Sequence, residues 1–245
     1  MFNKFYQLTI VNFGLEKYLH KIYSFYLLLL SIKNKIFFKI NIKTSFSSFY
    51  QDIWIIKNIF KYKKNLFFVD VGAYDGISNS NTLLFEKFYN WKGICIEPNP
   101  NTFFFLLKHR NNKYCKNYII SDSKKKKLRI SNQGQLSRIT NNPKSYLVKN
   151  ISLNKLISHN KIKKINFLDI DCEGFEDTVI NSINFKNISI DCILIERPSV
   201  KINKTLTKNN FIYIKRFLFD YLYINKKLNL KFNKKKFEKL PIRTI

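Results

Sequence analysis

The chain has 245 residues, 45% of them apolar, with only 6 glycines and 5 prolines. That length carries one full α/β domain plus an appendage, and the composition excludes fibrous and disordered classes. The formal net charge of +28 predicts a surface that attracts polyanions. Lys, Asn and Ile are abundant along the whole chain, however, so most of the charge reads as compositional bias, with nonspecific nucleic-acid binding as its consequence.

The four cysteines, Cys95, Cys115, Cys172 and Cys192, have no C-x-x-C spacing. That speaks against a zinc site and fits reduced thiols in a cytoplasmic protein.

Residues 1–64 read as an N-terminal helical extension. Within it, residues 22–32 form the longest uncharged apolar run, shorter than the ~18–20 residues that cross a bilayer. No small-residue cleavage site follows it, so it is not read as a signal peptide. With its basic flanks, the stretch 18–36 either packs on the core as an extra helix or makes a peripheral membrane contact. A further helix is expected within 46–60, where Ile53, Ile56 and Phe60 share a face.

A strand is expected at 66–71, then a loop with two glycines, then a helix capped by Ser80 or Asn81 and running to about residue 89. A second strand at 93–96 ends in Glu97-Pro98, and Asn99-Pro100 starts a helix with Pro at its first position. A third strand is expected at 118–120, ending at Asp122. The four lysines 124–127 read as a solvated loop, and 132–150 as a polar loop over the site. A helix over 152–160 leads to a fourth strand at 165–170, followed by Asp171, Glu173 and Glu176. Gly174 turns the chain into a helix over 175–183. A fifth strand at 191–195 ends at Glu196, residues 197–210 read as a loop, and 211–225 as a terminal hairpin. The segment 226–245 is a basic tail.

The unit around residue 70 carries the chemistry. A strand, a glycine turn, a helix and a strand with an acid at its tip can hold an adenosine-containing cofactor, since such an acid accepts hydrogen bonds from a ribose diol. The G-x-G-x-x-G pattern is absent. Asp-x-Gly-x-x-x-Gly stands instead, with Tyr74 where a middle glycine would admit a pyrophosphate. Asp70 would repel a phosphate. The loop therefore suits a cationic, phosphate-free ligand such as S-adenosylmethionine better than NAD or ATP.

Residues 69–76, Ser80-Asn81-Thr82, 91–98 and 167–176, in that order, resemble the FkbM family of S-adenosylmethionine-dependent methyltransferases. Gln135-Leu136-Ser137 resembles a short family motif that covers the site. The resemblance spans about 65–225. It implies a Rossmann-like class I methyltransferase fold, with a mostly parallel seven-stranded sheet and an antiparallel last strand. It implies O-methylation of a hydroxyl on a sugar, glycan or related natural product. The cofactor would lie against Asp70, Gly72, Ala73, Tyr74, Gly76, Asn81, Glu97, Pro98, Asp122 and Asp171. Asp171 and Glu173, with Glu196 behind them, are the candidate bases. Acids this close could bind Mg²⁺, but no His joins them and the resemblance requires no metal, so none is assigned.

Two other readings stay open. One is an RNA methyltransferase favoured by the charge, although Asp171-Cys172-Glu173 stands where an exocyclic-amine enzyme carries an Asn-Pro-Pro-Tyr-like motif. The other is a noncatalytic membrane-associated interaction protein.

Overall fold

In the computed structural model, which describes residues 45–228, a seven-stranded sheet organises everything else. Its strands are β1 (Phe67–Val71), β2 (Lys92–Ile96), β3 (Cys115–Lys116), β7 (Lys164–Ile170), β8 (Ser189–Glu196), β9 (Phe211–Phe217) and β10 (Asp220–Asn225). Their spatial order is β3-β2-β1-β7-β8-β10-β9. The pairs from β3 to β8 are parallel, and β10 runs antiparallel to both β8 and β9. This is the expected mostly parallel sheet, with its antiparallel last strand inserted beside β8.

The central strands are apolar on both faces because helices cover both. Along β1, side chains alternate: Phe68 packs with α1 (Gln51–Asn58), α2 (Leu83–Tyr89) and α3 (Pro100–His109). Val69 and Val71 pack on the other face with α4 (Leu153–His159), α5 (Glu176–Asn181) and α6 (Val200–Lys208). Asp70 shares the face of Phe68 by the same alternation, and Asp169 shares that of Phe167. Strand order reverses between β1 and β7, the place where open α/β sheets bind ligands beyond their strand tips.

Local signals explain several boundaries. Asn99 caps α3, its side-chain oxygen accepting from the Asn101 N–H at 2.9 Å, with Pro100 at the first position. Ser152 caps α4 in the same way through the Lys155 N–H. The helix expected to be capped by Ser80 or Asn81 starts at Leu83, with Thr82 at the cap position. Ser80 still serves its end, its Oγ accepting from the Leu83 N–H at 3.1 Å.

Several expectations are corrected. The third strand is split: Cys115–Lys116 extends the main sheet, whereas β4 (Ile119–Ile120) pairs with β6 (Tyr146–Ile151) in a separate three-stranded sheet completed by β5 (Lys127–Ile130). Lys127, the last of the lysine run, and residues 146–150 of the polar loop therefore belong to strands, because Leu128, Ile130 and Val148 bury a small apolar cluster with Ile119, while Lys124 to Lys126 stay in an exposed loop. Residues 200–208, read as loop, form α6. Ser199 caps it through the Ile202 N–H, and Ile202 and Leu206 are buried one turn apart. The helix expected over 46–60 is confined to Gln51–Asn58.

The apolar run 22–32 and most of the basic tail lie outside the described residues. No helix of the described residues is long and apolar enough to cross a membrane.

Candidate active site

The tips of β1, β2 and β7 open into one cavity lined by Asp70, Gly72, Ala73, Tyr74, Asn81, Glu97, Pro98, Asp169, Asp171 and Glu173, among others. The sequence thus brings together residues from three separate strand ends. Its far wall is apolar and comes from the small sheet and its loop: Tyr118, Ile119, Ile120, Ile130 and Ile139.

Gly72 makes the junction possible. Its φ is +95°, and a Cβ there would lie 1.7 Å from the Asp171 carbonyl oxygen. Its N–H and that of Ala73 both donate to the Ile96 carbonyl, at 2.9 and 3.0 Å, while the Asp171 N–H donates to the Val71 carbonyl at 3.0 Å. The three strand tips are stitched together through backbone alone.

Glu97 is buried at 6% exposure. Tyr74, in the left-handed region at φ +49°, turns its N–H onto Glu97 Oε2 at 3.0 Å, and the Asn99 N–H donates to Oε1 at 2.8 Å. An ionised carboxylate offers about four acceptor positions, so capacity remains. Burial pushes Glu97 up to about 7, against the lowering effect of the hydrogen bonds from Asn99, Thr102 and Tyr74.

Asp70 accepts from Thr82 Oγ1 at 2.5 Å, and Arg110 donates to the same Thr82 hydroxyl at 3.0 Å. Arg110 also bonds Glu86 at 2.8 Å, the Gly76 carbonyl at 3.1 Å and Ser80 Oγ at 3.3 Å. Burial raises Asp70, and Arg110 opposes the rise.

At the mouth stand Asp171, Glu173 and Glu196, with one carboxylate oxygen of each within 4.8 Å of the others. Glu173 sits at φ +52° and Gly174 at φ +100°, a turn that lifts the Glu173 carboxylate to the cavity. Glu176 braces this turn, its Oε1 accepting from the Cys172 and Gly174 N–H groups. Asp171 is pushed well above the usual carboxylate range by burial and then by the neighbouring Glu196, Asp220, Asp169 and Glu173. Asp220, in register with Glu196, is pushed up to about 6 and accepts a hydrogen bond from Gln51 of α1.

Two expected site residues stand elsewhere. Asp122 is exposed and outside the cavity lining, because β4 ends at Ile120 and Ser121 turns away to bond Asn150. Gly76 does not line the cavity either. Its φ of +81° and missing Cβ make room for Arg110 Cγ and Leu106, so its role is to admit the buried guanidinium. Glu196 belongs to the acidic cluster without lining the cavity itself. Sequence reasoning missed the roles of Arg110 and Asp169. The two-residue spacing of Asp169 and Asp171 on a strand was the available signal for the second.

These buried carboxyls set an unusual pH dependence. Glu97 holds its proton to about 7 in the folded chain but releases it near 4.5 when unfolded. Between those values the folded state binds more protons, so stability falls as pH rises, by ~3 kcal/mol for this group alone. Asp169 and Asp171 act with the same sign. The ligand-free protein is expected to melt at a higher temperature at pH 5.5 than at pH 8. A melting temperature that rises over that interval would contradict the burial of these carboxyls.

Residues 70–224 match the family described as the methyltransferase FkbM domain. The chain belongs to the FkbM methyltransferase family. As an FkbM protein it is an S-adenosylmethionine-dependent methyltransferase. The cavity fits that cofactor: Glu97 retains acceptor capacity for a diol, the far wall is apolar, and the buried Asn81 Oδ1 lacks a partner in the protein.

Among solved structures, the FkbM methyltransferase of Methylobacillus flagellatus is 14% identical, with a TM-score of 0.43 over 66% of this chain and 43% of that one. A precorrin-6y C5,15-methyltransferase of Geobacter metallireducens is 10% identical, with a TM-score of 0.42 over 75% and 91%. A SAM-dependent methyltransferase of Aquifex aeolicus is 10% identical, with a TM-score of 0.36 over 73% and 93%. No curated protein sequence matches the chain.

Proposed function

We propose that this FkbM protein methylates a hydroxyl oxygen of a sugar, glycan or related natural product. The observation that carries the reading is the carboxylate cluster Asp171, Glu173 and Glu196 at the cavity mouth. When bound, the cofactor supplies an electrophilic methyl group on a sulfonium sulfur. Glu97 accepts hydrogen bonds from the ribose hydroxyls, and the apolar wall from Tyr118 to Ile139 packs the adenine.

A hydroxyl is a weak nucleophile and gains from a base that takes its proton as the C–O bond forms. In this reading Asp171 and Glu173 take that proton. Burial, and after it the charge of the neighbouring Glu196, raises the proton affinity of both, which brings a carboxylate base toward neutral operating pH. The covering loop offers Gln135 and Ser137 at the cavity, groups that both donate and accept, as sugar hydroxyls require. Alignment of the acceptor against the methyl group would supply much of the remaining rate.

The test is transfer of radiolabelled methyl from S-adenosylmethionine to a panel of monosaccharides, nucleotide sugars and oligosaccharides, with RNA and amine acceptors beside them. The reading expects label in a base-stable ether on a sugar, and its loss in Asp171→Asn. Label in RNA alone would instead support the reading favoured by the net charge of +28.

A further inference from the structure

Asp70 and Asp169 are register partners on the adjacent parallel strands β1 and β7, so their side chains stand side by side on one face. Both line the cavity, and both are buried, at 4% and 5% exposure. Their surroundings differ. Asp70 has the Thr82 hydroxyl and, behind it, the Arg110 guanidinium. Among the described residues, Asp169 has a neutral hydrogen-bond partner, Asn81, and no Lys or Arg within ion-pair distance. Asn81 Nδ2 donates to both Asp169 oxygens, at 3.0 and 3.3 Å. In that orientation the amide nitrogen is committed to Asp169, whose proton affinity burial raises with no cation to oppose it. The amide oxygen is left over: Asn81 Oδ1 is buried with no partner in the protein.

A buried carboxylate without a cation is costly, and so is a buried acceptor without a donor. Both defects lie at one place in the cavity wall. One ligand group removes both: a primary ammonium, which brings a positive charge and three N–H donors. We infer that Asp169 and Asn81 Oδ1 hold the α-ammonium of the cofactor's methionine moiety, and that Asp70, tied to Thr82 and Arg110, serves the fold at that end of the cavity. The assignment rests on the cofactor reading of the cavity and moves the charge partner from the β1 acid to one on β7.

Calorimetric titration with three neutral-sulfur ligands tests it: S-adenosylhomocysteine, its desamino analogue, and 5′-methylthioadenosine, which lacks the whole amino-acid end. The wild-type protein is expected to bind the desamino analogue roughly 10- to 100-fold more weakly than S-adenosylhomocysteine. Asn81→Leu and Asp169→Asn should each weaken S-adenosylhomocysteine by a comparable factor while leaving methylthioadenosine and the desamino analogue unchanged. Equal affinity of the wild-type protein for S-adenosylhomocysteine and the desamino analogue would overturn the inference, and needs no variant to fold. Equal weakening of all three ligands by the variants would overturn it too. If a folded wild-type protein bound neither methylthioadenosine nor S-adenosylhomocysteine, the cofactor reading itself would fall.

Discussion

Arg110→Met is expected to cost about 3–5 kcal/mol of folding stability, the range for removing one partner of a buried charge network. Arg110 is 5% exposed, and its guanidinium carbon lies 5.4 Å from the Phe68 ring centroid. Its donors are divided among Glu86, the Gly76 carbonyl, Ser80 and Thr82. Methionine keeps most of the packing of the stem and removes the charge. Glu86 then loses its 2.8 Å partner, and Asp70 keeps only a hydroxyl in a site that already disfavours its ionised form. The loss is read from the urea midpoint at pH 7.5. It should shrink at pH 5, where Asp70, its proton affinity raised by burial and no longer opposed by Arg110, takes up a proton in the variant. A loss below about 1 kcal/mol, the worth of an exposed ion pair, would contradict the role given to Arg110.

Gly72→Ala is expected to be at least as damaging, at about 4 kcal/mol or more. Two costs add. An L side chain at φ +95° is strained, by about 1–3 kcal/mol. The new methyl would also sit 1.7 Å from a backbone oxygen, which cannot swing aside as a side chain does. Asp171 must retreat, breaking its N–H bond to the Val71 carbonyl and parting β1 from β7 at the cavity floor. The variant should melt far below the wild-type protein and, where still folded, bind S-adenosylhomocysteine weakly. A wild-type melting temperature would refute the close approach.

How much of this was legible in the sequence follows from the kind of signal each residue gives. β1, β7 and β8 are buried on both faces, so they read as short apolar runs and were placed within two residues. Asn99-Pro100 announced α3 because both residues act locally. Glu97 was legible because an acid directly after an apolar strand has few other reasons to be there. Asp122 looked equivalent, but its strand is two residues long and pairs in the other sheet, a tertiary fact that no local pattern carries. Arg110 at the end of an amphipathic helix resembles any solvent-facing cation. Only the fold puts Glu86, Thr82 and Gly76 around it. The three-stranded sheet was hidden by Lys124 to Lys127, whose charges suggest a loop although Leu128 and Ile130 behind them are turned inward. In α6 just two apolar residues mark the buried side, too few to establish a period.

The most direct test of the central claim is calorimetric titration of S-adenosylhomocysteine into the wild-type protein and into Glu97→Ala at pH 8, where Glu97, with its pKa of about 7, is ionised. The account predicts micromolar binding by the wild-type protein and a loss of about 1–3 kcal/mol in the variant, the cost of a missing buried acceptor. Unchanged affinity in a folded Glu97→Ala protein would contradict the assignment of Glu97 to the cofactor. Absence of binding by the wild-type protein would contradict the cavity's assignment altogether.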